Sequence, residues 1–306
     1  MKASIIVPTY NAGRHFQTLF TKIEENAQAL AMETEIIVVD SSSNDGSIDF
    51  LKNKSVRLIS IPQSEFNHGG TRNMAAEQAN GDVLIYMTQD ADPASGRAME
   101  QLIAPLLSNK DIGMAYGRQL PRPDADLLAR LARDFNYPPQ STIKSLADVP
   151  VLGFKTIFAS NSFAAYKKEA LQRVGGFPRH TIFGEDTYVA AKMILEEYSV
   201  AYVADAEVFH SHNYTNIEEF HRYFDIGVFH SQEKWLLDTF SAPESEGIKF
   251  LKRQIKYASN HGEKWLIPNI IVRNGLKYIG YRLGLKERLL PAGLKKRFSM
   301  QRRFWS

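Results

Sequence analysis

Cysteine is absent from all 306 residues, which excludes disulfides and thiolate metal sites and fits a reducing compartment. No apolar run approaches the roughly 20 residues that a membrane-spanning helix needs. Near the N-terminus, Ile5-Ile6-Val7 stops at Pro8, too short for a signal-peptide core and followed by no cleavage site. The expected location is the cytoplasm. The turn from Pro8 to Gly13 lacks G-x-G-x-x-G, the close approach that a dinucleotide pyrophosphate requires, which argues against a nicotinamide oxidoreductase. There are no internal repeats and no low-complexity tract. Acids are scarce in one region. From Ile248 to Ser306 there are 15 Lys/Arg against Glu263 and Glu287 alone, a net +13; the whole chain carries +3, so residues 1–247 carry −10. An acidic body with a basic tail points to an anionic surface as the tail's partner.

What is present is ordinary for a globular protein, with 44% hydrophobic and 23% charged residues, and the length suits a large α/β domain with an appendage. Short apolar runs alternate with helical patterns. Ser4–Val7, Ile36–Val39, Val56–Ile61 and Val83–Met87 read as strands, with helices over Arg14–Ala31 and Met74–Ala79 between them. Such alternation predicts a mainly parallel sheet covered on both faces. Farther on, a helix near Ala98–Leu107 and strands at Ile112–Tyr116, Thr156–Tyr166 and Val200–Val203 are expected. Pro121–Pro150 reads as irregular, with a short helix around Leu127–Leu131, mobile or lying over the site. Ile217–Phe240, capped by Asn216, and everything past Ile248 read as helical.

In an open parallel sheet, ligands bind beyond the carboxyl ends of the strands, and the polar residues collect there. Asp40 ends one strand and can accept hydrogen bonds from a base or ribose; the alternative is a polar loop whose Ser43-Asn44-Asp45 caps a helix. Asp90 and Asp92 follow Val83–Met87 at alternate positions, a spacing that suits Mg²⁺ or Mn²⁺ with substrate phosphates, although Pro93 also suits a first helical position. His68-Gly69-Gly70-Thr71-Arg72-Asn73 can present amides and a guanidinium to a diphosphate. Glu185-Asp186 at a helix start either complements the helix dipole or supplies a general base. His210 and His212 are candidate metal ligands or phosphate contacts, or an inert surface pair.

Taken in order, Val7-Pro8-Thr9-Tyr10-Asn11, Ile37-Val38-Val39-Asp40-Ser41-Ser42-Ser43-Asn44-Asp45-Gly46, Thr71-Arg72-Asn73, an acidic strand end and Gly184-Glu185-Asp186 resemble family 2 glycosyltransferases, over roughly residues 2 to 215. Phe66–Asn73, Thr88–Ala91 and His210–Tyr214 further resemble bacterial rhamnosyltransferases that use dTDP-L-rhamnose, and Phe220–Phe229 is similar to that subgroup's helical extension. The resemblance implies a GT-A fold over residues 1–215, a helical basic extension over 216–306, a nucleotide-sugar donor, a divalent metal (Mg or Mn) and inversion at the anomeric carbon. It gives Pro8, Thr9, Tyr10 and Asp40 to the nucleotide, with Asn11, Ser42, His68 and Gln89 also on the donor. Arg72 would reach the donor diphosphate, Asp186 would be the base, and Glu185 its neighbour. Thr88-Gln89-Asp90 stands where the family has Asp-x-Asp. Asp90 is then the expected metal ligand, Asp92 a second claimant from a shifted register, and His212 or His210 the source of the missing contact. A UDP-sugar donor remains the alternative.

The tail mixes bases with apolar and aromatic residues, as in Lys249-Phe250-Leu251-Lys252-Arg253 and Trp265-Leu266-Ile267. Such helices can lie in an anionic membrane interface, which would suit a lipid-linked saccharide acceptor at the inner face of the cell membrane. A homodimer surface or a solvated bundle is the other reading. No recognised nucleic-acid motif accompanies the bases, so no nucleic-acid partner is expected.

Overall fold

The computed structural model describes residues 1–242 and 244–305. Its first half runs β1 (Lys2–Thr9), α1 (His15–Ala29), β2 (Glu33–Asp40), β3 (Arg57–Ser60), α2 (His68–Gln78), β4 (Val83–Met87), β5 (Asp92–Pro93), α3 (Ala98–Ser108) and β6 (Ile112–Leu120). Then follow α4 (Leu127–Asn136), β7 (Thr142–Lys144), the single turn α5 (Val149–Leu152), β8 (Phe163–Lys167), α6 (Lys168–Arg173), α7 (Glu185–Leu195) and β9 (Ser199–Phe209). The remainder is helical: α8 (Asn216–Gln232), α9 (Lys234–Phe240), α10 (Glu244–Asn260), α11 (Ile267–Gly284) and α12 (Ala292–Phe298).

The strands form one sheet in the order β3-β2-β1-β4-β8-β6-β9-β5, with β7 also on β9. The first four strands are parallel, β8 runs antiparallel between β4 and β6, and β6 pairs with β9 in parallel. Strand periodicity places alternate side chains on opposite faces. Ile5, Val7, Val38 and Ile85 meet Phe16, Phe20 and Leu102 of α1 and α3 on one face. Ile6, Ile37, Leu84 and Tyr86 join Ala75, Leu171, Val189 and Phe224 on the other. That both faces are covered explains why these strands read as unbroken apolar runs. The order reverses between β1 and β4, and at such a switch point the loops at the strand ends splay apart to leave a crevice.

Several boundaries differ from the sequence reading, each for a physical reason. The glycine pair is not a loop but the first turn of α2, because the Asn67 side chain caps it by accepting from the Gly70 amide at 2.5 Å. Asp92-Pro93 forms a short strand against Val208 and Phe209 instead of capping a helix. The expected strand over Thr156–Tyr166 is a 3₁₀ turn (Gly153–Ile157), a loop and only then β8. Buried Lys144 holds that turn, donating to the carbonyls of Lys155 and Phe158 at 3.1 and 2.6 Å and to the Tyr116 hydroxyl at 3.2 Å. β9 continues well past Val203 because β6 and β5 pair with it as far as Phe209. Thr215, not Asn216, caps α8, in a reciprocal box with Glu218. Residues 121–150 hold α4, β7 and α5, and Asp126 N and Asp124 O bond the Asn213 side chain, which ties this segment beside the histidine loop.

Phe224, Val228, Phe229, Leu236 and Phe240 share a core with sheet residues, so α8 and α9 are built directly onto the α/β body. α11 lies across α8 at very close range. A Cβ on Gly280 would fall 2.5 Å from the Phe220 carbonyl oxygen, and one on Gly227 or Gly284 would collide with backbone of the facing helix. Arg273 and Lys277 of α11 both reach Glu219 of α8, at 3.0 and 3.1 Å, inside this seam. No helix among the described residues is long and apolar enough to cross a membrane.

Candidate active site

The ends of β1, β2 and β4 form one rim. Thr9 and Asp40 are register partners, both buried. Asp40 Oδ2 accepts from the Ser43 amide at 2.9 Å and Oδ1 from the Ser43 hydroxyl at 2.5 Å, so its carboxylate shapes the loop that would face a nucleoside. Asn11 and Ser42 hold left-handed backbone, at φ 44° and 60°, a conformation that persists in non-glycine residues only where surrounding bonds enforce it. Here Asn11 N donates to Ser43 Oγ, Asn11 Oδ1 accepts from Asn44 N, and Ser42 Oγ donates to Ile61 O, at 2.8 to 2.9 Å. Pro8 is half-buried beneath the rim and Tyr10 is exposed on it. The Gln89 side chain clamps both backbone groups of Tyr10, accepting from N at 2.7 Å and donating to O at 3.0 Å. Gln89 therefore fastens β4 to β1 across the switch point.

Beyond Gln89, Asp90 faces two imidazoles. Its Oδ2 lies 3.4 Å from His210 Nε2 and 3.6 Å from His212 Nε2. His210 Nδ1 is 2.9 Å from Gln119 Oε1, an oxygen that also accepts from Arg133 while the Gln119 amide donates to Ser160 Oγ at 2.8 Å. Gln119 Oε1 can only accept, so this network places a proton on Nδ1 and turns Nε2 toward Asp90. Burial and the neighbouring His210 push His212 down to about 4, so it is a neutral acceptor near pH 7. A carboxylate oxygen and two imidazole nitrogens lie within 4.8 Å of one another, close enough for one cation to bridge all three. The donor set thus fits a divalent metal, with Gln119 as the outer partner that orients one ligand. Asp92 is not part of it. Its buried carboxylate meets His15 Nε2 at 2.9 Å and Lys22 Nζ at 3.4 Å, because the β5–β9 pairing turns it toward α1.

The acid pair opens α7. Gly184 precedes it at φ +73°, and a Cβ there would enter the Phe229 ring at 2.6 Å, so glycine is what allows the helix to start here. Glu185 is buried, 3.1 Å from Arg72 Nη1 and 3.2 Å from Asn161 Nδ2. Burial by itself would raise its pKa, but Arg72, with help from His68 and Asn161, holds it low and ionised. Asp186 makes no ion pair among the described residues, and Arg72 pulls on it only from a longer distance. Its Oδ2 accepts from the Asn161 amide at 3.0 Å and Oδ1 from the Thr187 amide at 2.7 Å. Burial and the adjacent Glu185 charge raise it to about 6, against the pull of those two amides. A carboxylate near that value is mostly ionised at pH 7 yet basic enough to take a proton.

The structure brings Asp90 together with His210 and His212, and Glu185 together with Asp186 and Arg72. It sets Arg72 behind the acids instead of in the open. The guanidinium is buried, donating to His68 O at 2.8 Å as well as to Glu185, and the half-buried His68 ring packs edge-on to Phe66. The sequence reading missed Gln119, Arg133, Asn161 and Arg222. Nothing in the local sequence marks the first three; Arg222 lay within the α8 segment but had no assigned role. Its guanidinium stands 4.9 Å from the Phe183 ring and 5.7 Å from the Tyr214 ring, and Tyr214 stacks on His212. Arg222 forms no ion pair among the described residues, so its charge is uncommitted on the His212 side of the site.

The family model described as Glycosyl transferase family 2 matches residues 4–175. The O-antigen chain rhamnosyltransferase RfbN of Salmonella typhimurium is 42% identical over 308 residues, covering 100% of this chain and 96% of that protein. The O-antigen chain rhamnosyltransferase WbaN of Salmonella anatum is 41% identical over 305 residues, covering 99% and 95%. Among solved structures, the mannosyltransferase PcManGT of Pyrobaculum calidifontis in complex with GDP-Man and Mn²⁺ aligns with a TM-score of 0.62 at 18% identity, over 94% of this chain and 87% of that one. Residues 1–349 of S. aureus TarS in complex with UDP align with a TM-score of 0.55 at 16% identity, over 94% and 91%. At these identities the structures speak for the fold alone.

Two outcomes follow from the geometry. Glu185→Gln removes a negative neighbour of Asp186 and leaves Arg72 uncompensated, and both changes favour the Asp186 anion. The acidic limb of the kcat/KM pH profile should therefore move down from near pH 6 by about one unit; an unmoved limb would show that Asp186 does not set it. Gln119→Leu frees His210 to rotate and should weaken Mn²⁺ binding by about tenfold or more, measured by calorimetry on the enzyme without donor.

Proposed function

Because the chain belongs to glycosyl transferase family 2, we propose that it transfers L-rhamnose from dTDP-L-rhamnose, with inversion, to a hydroxyl of a lipid-linked saccharide in O-antigen-type polysaccharide assembly. Glycosyl transfer as the reaction class follows from the family. The choice of rhamnose and of a cell-surface saccharide is supported above all by end-to-end likeness to two O-antigen chain rhamnosyltransferases at 41 and 42% identity. The acceptor would be met at the inner face of the cell membrane.

The chemistry follows from the site. The acceptor hydroxyl oxygen attacks the anomeric carbon from the face opposite the nucleotide, and its proton passes to Asp186. Hydroxyl acidity rises as the new C–O bond forms, so a carboxylate raised to about 6 is a sufficient base; such help is typically worth about 10²–10⁴-fold. The bond from that carbon to the diphosphate oxygen breaks, and the nucleoside diphosphate leaves with the electron pair. From a β-linked donor this gives an α-linked rhamnoside. A Mg²⁺ or Mn²⁺ ion held by Asp90, His210 and His212 would supply positive charge to the departing diphosphate. Thr9, Asp40 and the loop after β2 would seat the nucleoside, with the exposed Tyr10 ring available to a base.

The cation that completes this arrangement is Arg222. Arg72 is committed to Glu185 and to the His68 carbonyl; its role is to keep Glu185 charged, which in turn keeps Asp186 basic. Arg222, poised between Phe183 and Tyr214, can meet developing charge on the leaving group, an electrostatic contribution that is often the largest in such reactions. Arg222→Gln should lower kcat about a hundredfold without moving the acidic limb set by Asp186. Unchanged turnover would return the diphosphate role to Arg72.

The base assignment and the donor are tested together. Asp186→Asn should bind dTDP as wild type does in a thermal-shift assay and lose transfer by about a hundredfold or more. Near-full activity would remove Asp186 from the mechanism. In a donor panel with and without Mg²⁺ or Mn²⁺, dTDP-rhamnose should turn over fastest; preference for UDP-glucose, UDP-galactose or UDP-GlcNAc would assign a UDP-sugar donor instead.

A further inference from the structure

Helix α11 buries Ile270 and Tyr281 as a surface helix should, but in two other respects it reverses the usual arrangement. Its inner face, against α8, carries Arg273 and Lys277, both buried and both paired with Glu219. Arg273 also donates to the Tyr214 carbonyl at 2.6 Å. Its outer face carries Ile271, Val272, Tyr278 and Ile279, which are 50–59% exposed. At 100° per residue these four side chains fall in one stripe. Trp265, 75% exposed, stands just before the helix and extends the stripe beyond its N-terminus. In water, charged groups belong outside and a line of large apolar side chains belongs within. A helix with that order reversed is matched to a neighbour that is not water.

The rim of the stripe identifies the neighbour. Lys256, Lys264, Lys286 and Arg288 are exposed around it. The only acids from residue 248 onward are Glu263 and Glu287, and Glu287 is buried against Lys295 at 2.6 Å. A two-fold dimer through this face would set two such rims against each other, like charge on like. A bilayer rich in anionic lipid answers both features, taking the apolar side chains into its interface and the lysines and arginines at its phosphates. No described helix is apolar enough to cross it, so the contact is parallel to the surface.

We propose that the outer face of α11, with Trp265 at its head and the flanking lysines and arginines as its rim, is the surface on which this enzyme rests on an anionic membrane. The inference rests on the lipid-linked acceptor only for its purpose; the contact itself is set by the face. Because α8 carries Glu219 on one side and Arg222 on another, the same helix joins the membrane face to the catalytic centre.

The test uses the full chain with vesicles of phosphatidylethanolamine and phosphatidylglycerol, and with pure phosphatidylcholine as the neutral counterpart. Wild type should float with the anionic vesicles, less so as salt rises, and not with the neutral ones. The double variant Ile271→Asn/Ile279→Asn should bind about tenfold or more weakly, and Lys264→Gln and Lys286→Gln about fivefold each. Trp265 emission should shift to the blue on binding and be quenched by brominated lipid, and the shift should vanish in Trp265→Phe. All variants should retain donor hydrolysis, so a failure of vesicle binding is distinguishable from a wrong donor or reaction. Absence of binding by wild type, or binding that the stripe variants leave unchanged, overturns the proposal. A dimer in sedimentation that the Ile271/Ile279 double variant abolishes would instead assign the face to a second copy of the chain.

Discussion

One asparagine holds two carboxylates of unlike character, and much of the site depends on that. Asn161 donates its amide to Asp186 and its side chain to Glu185, while its own Oδ1 accepts from the buried Tyr166 hydroxyl at 2.6 Å. Adjacent buried acids would normally share one proton, because two like charges in a poorly solvated site repel. Arg72 resolves this by pairing with one of them alone. Glu185 stays charged, and its charge together with burial lifts Asp186 into the range of a useful base. The division of labour within the pair is thus made by α2 and by the loop before β8, outside the helix that carries the acids.

The same loop links Asp186 to the cluster of Asp90, His210 and His212. Gln119 on β6 bonds His210 on one side and Ser160 on the other, and Ser160 immediately precedes Asn161. Hydrogen bonds through Gln119 to Ser160, and the peptide link from Ser160 to Asn161, therefore connect His210 with Asp186, and Lys144 anchors the turn from which the loop departs. Mutual distance between a leaving-group site and a base decides transfer rates, since small misplacements are costly. Here that distance is set by fixed bonds between strands. Gln89, which clamps Tyr10 to the end of β4, gives the nucleoside rim the same rigidity.

The helical extension belongs to this catalytic body. α8 buries Phe224 and Val228 in the core shared with β4, presents Arg222 to the site, and receives α11 through glycines that leave no room for a Cβ. With Glu219 neutralised by Arg273 and Lys277 inside that seam, part of the tail's positive charge is structural. What remains on the surface surrounds the exposed side chains of Trp265, Ile271 and Ile279, the arrangement from which the lipid interface is proposed.

Local sequence was enough to locate β1, β2, β3, β4 and β6 and the polar residues at the ends of β2 and β4. Unbroken apolar runs, Asp40 after Val39, Asp90 after Met87, and Gly184-Glu185-Asp186 are all contiguous patterns, and contiguous patterns survive without knowledge of neighbours. What needed the tertiary structure were pairings between distant segments. His210 finds Gln119 across 91 residues, and Asp186 finds the Asn161 amide across 25. Asp92 is turned toward His15 by a strand pairing that its spacing from Asp90 does not encode. Arg72 is drawn to Glu185, and α11 faces Lys277 inward and Ile271 and Ile279 outward. Periodicity states which side chains share a face; only packing decides which face meets the core, the substrate or the solvent.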